Sequence, residues 1–259
     1  RIRALFPKFT GSLGSLKKPD GSVTSSLVEI DNLVRSTRAF WEEDPGEIDQ
    51  HLINGLKEYS EQAPAWRVLH RPPLEAYTQA TIVSGNSAVG FDTIPFAVHR
   101  IDPDKTARMM DQKLFEILTI ETPPPRQLLV WIPKATVGMH AEDWIPLGMP
   151  TTFDRIFAAA IYKWTTSQNP DILHSSQALL NELREPQVNF KAISEKFQAS
   201  WNKKSPLTSV LFTDLQKAFE YVHPAWIIAV LTARGAPRWL VKYTQYTFFQ
   251  KQVVPKIQG

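Results

Sequence analysis

The 259-residue sequence contains no cysteine. Disulfide staples, thiolate metal sites and a cysteine nucleophile are therefore excluded. No apolar run approaches the roughly 18 residues that a bilayer-crossing helix needs. The N-terminus lacks the basic, apolar and small-residue zones of a secretory signal. Phosphate-cradling GxxxxGK[ST] and GxGxxG loops are also missing. The six histidines are scattered, and none has the Glu-flanked partner four residues away that a zinc helix requires. The first residue is Arg1 rather than Met, so the chain reads as a segment of something longer or as a processed product.

What is present has the composition of a folded domain. Hydrophobic residues make up 43%, aromatics 11% and charged residues 21%, too apolar for a disordered tail and too charged for a membrane protein. The length fits one large domain or two modest ones. The net charge of +3 hides an asymmetry. Residues 29–61 hold nine acids (Glu29, Asp31, Glu42, Glu43, Asp44, Glu47, Asp49, Glu58, Glu61) against three bases (Arg35, Arg38, Lys57). Residues 185–259 reverse this, with ten bases (Lys191, Lys196, Lys203, Lys204, Lys217, Arg234, Arg238, Lys242, Lys251, Lys256) against four acids (Glu185, Glu195, Asp214, Glu220). A basic C-terminal third suits a polyanionic partner, and it equally suits solvated helix faces.

Residues 1–26 read as a loose lead-in with a turn at Pro19-Asp20-Gly21-Ser22. Leu27, Ile30, Leu33 and Val34 predict a helix over 27–41, broken by Asp44-Pro45-Gly46. Ile48, Leu52, Leu56 and Tyr59 predict a second, and Pro72-Pro73 opens a third that reaches about Val83. A loop of small residues follows over 84–95. Its Ser87 is no nucleophile elbow, because Val89 stands where a second glycine is needed. Helices are expected over 96–101 and 103–120, the latter with Met109, Met110, Leu114, Ile117 and Leu118 as its core stripe.

The apolar runs QLLVWIP (127–133) and WIPLGM (144–149) flank a polar stretch over 134–143, which predicts a long hairpin. Thr151-Thr152-Phe153-Asp154 resembles a capping box with Asp in place of Glu. The helix it opens is apolar along Ile156, Phe157, Ala160, Ile161 and Trp164, and weaker helices run on to about Trp201. LTSVLFT (207–213) predicts a buried strand that ends at Asp214. Helices follow over 217–222, 225–234 and 237–250, with Gly235 as a C-terminal cap. Val253-Val254 begins a further strand. Asp214 stands out, because a carboxylate at the end of a buried strand is costly without a partner. Binding Mg²⁺ together with substrate phosphates would supply one, and so would capping the next helix.

Four segments carry more. SAVGFDTIP (87–95) resembles an A-P-G-P-D-G-I-P loop, and VWIPK (130–134) is similar to an I-P-K strand. WIPLGMP (144–150), followed by Asp154-Arg155, resembles an R-P-L-G-I-P…D-R element. LFTDLQKAFE (211–220) is similar to the palm motif F-x-D-x-x-K-A-F-D. In that order they resemble the reverse transcriptase of non-LTR (LINE-type) retrotransposons. The resemblance implies an α+β, right-hand polymerase-like fold with fingers and an incomplete palm. Such a fold is mostly helical, with a fingers hairpin and a short antiparallel palm sheet. Residues 1–83 would be a helical lead-in, 84–200 the fingers and 201–259 a partial palm truncated before the Asp-Asp motif.

By the same resemblance the activity is RNA-directed DNA synthesis, a phosphoryl transfer at two Mg²⁺ ions. Asp214 would be the catalytic carboxylate and metal ligand, helped by the main-chain carbonyl of Leu215. Phe219 would gate against a ribose 2′-hydroxyl, and Lys134 would meet the incoming triphosphate. Arg155 would support the hairpin or touch template, and Lys217 would contact template. The partners implied are an RNA template, a DNA primer and deoxynucleoside triphosphates, with no membrane; the compartment is left at nucleus or cytoplasm. Two departures stand against activity. Ile145 replaces the R-P-L arginine and cannot make its charge-assisted contact. No Asp-Asp pair occurs anywhere, and Asp214 is the last aspartate. The chain by itself is therefore expected to be an inactive fragment of such an enzyme. The alternatives are a catalytically dead nucleic-acid-binding or structural module of that fold, and a helical domain unrelated to nucleic acid.

Overall fold

A computed structural model describes residues 15–36, 51, 54–55, 58, 66, 70–120, 122–133, 140, 144–169, 186–202, 222–249 and 252–255. The fold is α+β. Strands β1 (Leu16–Lys17) and β2 (Val23–Thr24) form a small antiparallel ribbon around the expected Pro19–Ser22 turn. Helix α1 (Leu27–Ser36) follows, and the rest of the helix expected over 27–41 lies outside the described residues.

The next helices begin and end where their capping residues dictate. Helix α2 (Leu74–Ile82) starts after Pro73, which holds an extended backbone. Helix α3 (Phe96–Ile101) starts after Pro95 in the same way. Helix α4 (Pro103–Thr119) has the Asp102 carboxylate accepting from the Lys105 amide and proline at its first position, a site where the missing N–H costs nothing. Its buried face is Thr106, Ala107, Met110, Leu114 and Ile117. Met109, expected in that stripe, is 53% exposed, because a residue adjacent to Met110 is turned about 100° away from it on a helix.

Strands β3 (Arg126–Pro133) and β4 (Trp144–Pro150) pair antiparallel, with Pro133 opposite Trp144 and Gln127 opposite Pro150. This is the expected hairpin; its 134–143 tip lies outside the described residues except for His140. Helix α5 (Thr152–Gln168) opens on the Thr151 cap: the hydroxyl accepts from the Asp154 amide at 3.0 Å and donates to the Asp154 carboxylate at 2.7 Å. Helices α6 (Pro186–Asn202), α7 (Pro224–Ala233) and α8 (Arg238–Phe249) follow. Gly235, at φ 71°, ends α7, and the Ala236 amide reaches back to the Leu231 carbonyl, a closure that favours glycine in the left-handed position.

Strand β5 (Gln252–Pro255) pairs with β3 in parallel, so the sheet order is β4-β3-β5 and the sheet is mixed. The strand expected over 207–213, which would carry the antiparallel palm sheet, lies outside the described residues. One cluster forms the main core. Tyr77 and Ala80 of α2, Met110 and Leu114 of α4, Ile156, Phe157 and Ile161 of α5, and Trp239, Leu240 and Tyr246 of α8 are its larger members. The stretches divided at 83 and at 200 thus contribute side chains to the same core, with α2 against α4 and α5, and α8 against α4.

Candidate functional site

Asp214, Leu215, Lys217, Phe219 and Lys134 lie outside the described residues. Ile145 lies on β4 opposite Ile132. Arg155, in the first turn of α5, is the one proposed site side chain whose surroundings are defined, and it leads to the 84–95 loop.

Arg155 and Arg100 hold that loop from two helices. The Arg155 guanidinium donates to Ser87 Oγ at 2.8 Å and to the Ala88 carbonyl, and it lies over the Phe96 ring at 4.8 Å from the centroid. Its Nε is buried without a hydrogen-bond partner. Burial lowers its pKa, and Asp92 works against that shift. Arg100, on α3, donates to the Ser84 carbonyl at 2.5 Å and to Asn86 Oδ1 at 2.5 Å. Both cations thus bond to the 84–88 backbone and its polar side chains, the pattern of fork-shaped donors closing a loop.

The second half of the loop lies against the junction of β4 and α5. A Cβ built on Gly90 would meet the Pro150 carbonyl oxygen at 2.6 Å and Thr151 Cα at 2.7 Å. That approach of two backbones admits glycine alone. Gly90 and Thr93 close a turn, with the Thr93 amide donating to the Gly90 carbonyl at 3.2 Å. Thr93 sits at φ 57°, the one described non-glycine residue with positive φ. Beyond it the Thr152 hydroxyl donates to the Ile94 carbonyl at 2.8 Å, and His99 Nε2 lies 2.9 Å from the Thr152 hydroxyl oxygen.

Electrostatics at this junction run against charge. Burial raises the pKa of Asp154, opposed by the Thr151 hydroxyl and by Lys113. Burial lowers that of His99, opposed by Asp92. Among the described residues no group of three or more His, Asp or Glu side chains could hold a metal ion, and no helix is long and apolar enough to cross a membrane. Arg100, His99, Thr93 and Thr152 escaped sequence reasoning, because each acts through a contact that local spacing does not encode. For Thr93 a signal existed: it stands where the loop motif of 87–95 has its second glycine. No protein-family model and no curated protein matches the chain.

Proposed function

We propose that the chain is a fingers and partial-palm portion of an RNA-directed DNA polymerase of the non-LTR retrotransposon type, which binds template–primer but does not extend it alone. One observation carries the reading: three of the four resembling segments converge. The Gly90 backbone of the first lies on Pro150–Thr151. Arg155, of the Asp-Arg pair, bonds to Ser87 and Ala88. The VWIP and WIPLGMP segments are the two strands of one hairpin. Segments separated by tens of residues meet as parts of one unit would. The left-handed Thr93 adds support, since the motif's glycine at that position answers a backbone need. Asp214 and the Leu215 carbonyl would hold Mg²⁺, which supplies electrostatic stabilisation for phosphoryl transfer.

The test is binding of chain 1–259 to RNA and to primer–template across a salt series. If about four phosphates are neutralised, log affinity falls against log salt with a slope of about −3 to −4. Primer extension with Mg²⁺ and deoxynucleotides is expected to be absent, because a two-metal site needs more carboxylates than Asp214. Failure to bind either nucleic acid at low salt would overturn the proposal. Extension that disappears in Asp214→Ala would overturn its catalytic half.

A further inference from the structure

Helix α6 carries its apolar stripe in the open. Ile193, Phe197 and Trp201 recur every four residues along it, so they share one face, with about 6 Å of rise from each to the next. A helix in a folded domain ordinarily buries such a stripe. Here Ile193 is half-buried, Phe197 is 41% exposed and Trp201 is 82% exposed, more than any other large hydrophobic side chain among the described residues. No described helix or strand packs extensively on α6. Charge is arranged around the stripe. By helical geometry Lys191 and Lys196 lie about 100–120° to either side of the two aromatics, and both are exposed. Glu195, the one acid in 186–202, lies on the far side and approaches Lys191 at 3.9 Å. Lys203 and Lys204 follow in the sequence, which gives 186–204 four cations against one acid.

We infer that the α6 face of Phe197 and Trp201 is a stacking site for unpaired nucleotides, with Lys191 and Lys196 beside it for the phosphates. A single strand presents flat apolar base faces on an anionic backbone, and exposed aromatics between cations complement both. A duplex keeps its base faces inside the stack and offers the helix its phosphates alone. A bilayer is the poorer match, because Ser194 and Ser200 border the stripe on its two sides, and a helix lying in a membrane interface needs a broad apolar face. The site rests on the nucleic-acid binding proposed above and adds where an unpaired strand lies.

The experiment measures binding of a single-stranded oligo(U) RNA, a duplex RNA of equal length, and phosphatidylcholine–phosphatidylserine vesicles to chain 1–259 and to Trp201→Ala. Loss of one base–aromatic stack is expected to weaken single-strand binding at least about fivefold. The salt slope is expected to stay the same, because no charge is removed, and duplex affinity to stay level. Trp201→Phe keeps a ring and is expected to hold most of the single-strand affinity. Single-strand affinity unchanged in Trp201→Ala, or an equal loss for the duplex, would overturn the site while leaving the polymerase reading in place. A parent chain that binds no RNA at low salt would remove both. Vesicle binding or dimer formation that Trp201→Ala abolishes, with RNA affinity unchanged, would assign the face to a membrane or to a second copy instead. If Trp201→Ala fails to fold, ultraviolet crosslinking of oligo(U) to the parent chain decides. Adducts on the tryptic peptide 197–203, which holds both aromatics, support the site, and crosslinks confined to other peptides refute it.

Discussion

Thr93 is held against its own preference. An L-residue in the left-handed region pays roughly 1–2 kcal/mol, and a β-branched one lies at the upper end. Glycine would remove that cost while losing roughly 0.5–1 kcal/mol to its greater freedom in the unfolded chain. Thr93→Gly is therefore expected to stabilise the protein by about 0.5–1 kcal/mol, read as a higher denaturant midpoint at unchanged slope. Tyr77 makes the complementary case. It is fully buried against Phe157, with ring centroids 5.9 Å apart, and its hydroxyl has no hydrogen-bond partner. Burial pushes its pKa well above the usual phenol range, helped by Asp111. A buried, unsatisfied hydroxyl costs about 1–3 kcal/mol. Tyr77→Phe should thus leave stability unchanged or raise it by up to about 1 kcal/mol, whereas a loss of more than that in thermal unfolding would mean that the hydroxyl has a partner.

Elements meet here through backbone as much as through side chains. A methyl group on Gly90 has nowhere to go, since what it strikes is the Pro150–Thr151 main chain. Gly90→Ala should destabilise by about 1–3 kcal/mol, the cost of forcing atoms into a filled space. The Gly85→Ala control, with open space around its Cβ position, should change stability by less than about 0.5 kcal/mol. Calorimetry of the two variants gives the comparison directly. The same elements show what the sequence discloses. Pro95, Asp102-Pro103, Thr151 and Gly235 mark helix ends by local chemistry, and the structure has α3, α4, α5 and α7 starting or stopping at them. The hairpin was legible because two apolar runs flank a polar one. The parallel partnership of Arg126 with Gln252 was not, because residues that distant are joined by the packing of everything between them. Nor were the arginine clasps, since an Arg on a helix reads the same whether it faces water or a carbonyl.

On the scale of the whole molecule, the proposed binding of nucleic acid divides the basic C-terminal third between charges that hold the fold and charges that would meet phosphate. Lys242 belongs to the first group. From α8 its ammonium donates to the Leu118 carbonyl at 2.9 Å, at the end of α4, where a cation meets both an unpaired carbonyl and the negative end of the helix dipole. Lys113 on α4 returns the contact, with its ammonium 5.3 Å from the centre of the Tyr246 ring, and the Tyr246 hydroxyl donates to the Pro123 carbonyl at 2.9 Å. Together these contacts fasten α8 to α4. Lys196 is exposed on α6 and makes no such contact among the described residues. Removing a cation that contacts phosphate reduces the salt slope of binding by about one, whereas removing one that is internally bonded leaves it alone. Lys242→Met is therefore expected to lower stability by about 0.5–1 kcal/mol while leaving the slope for RNA unchanged. Lys196→Met should do the reverse, reducing the slope by about one at constant stability. Denaturant melts and a salt series of binding curves on the two variants separate the outcomes. If Lys242→Met flattens the slope as much as Lys196→Met does, the junction of α4 and α8 lies in the nucleic-acid path, and the division of charge drawn here is wrong.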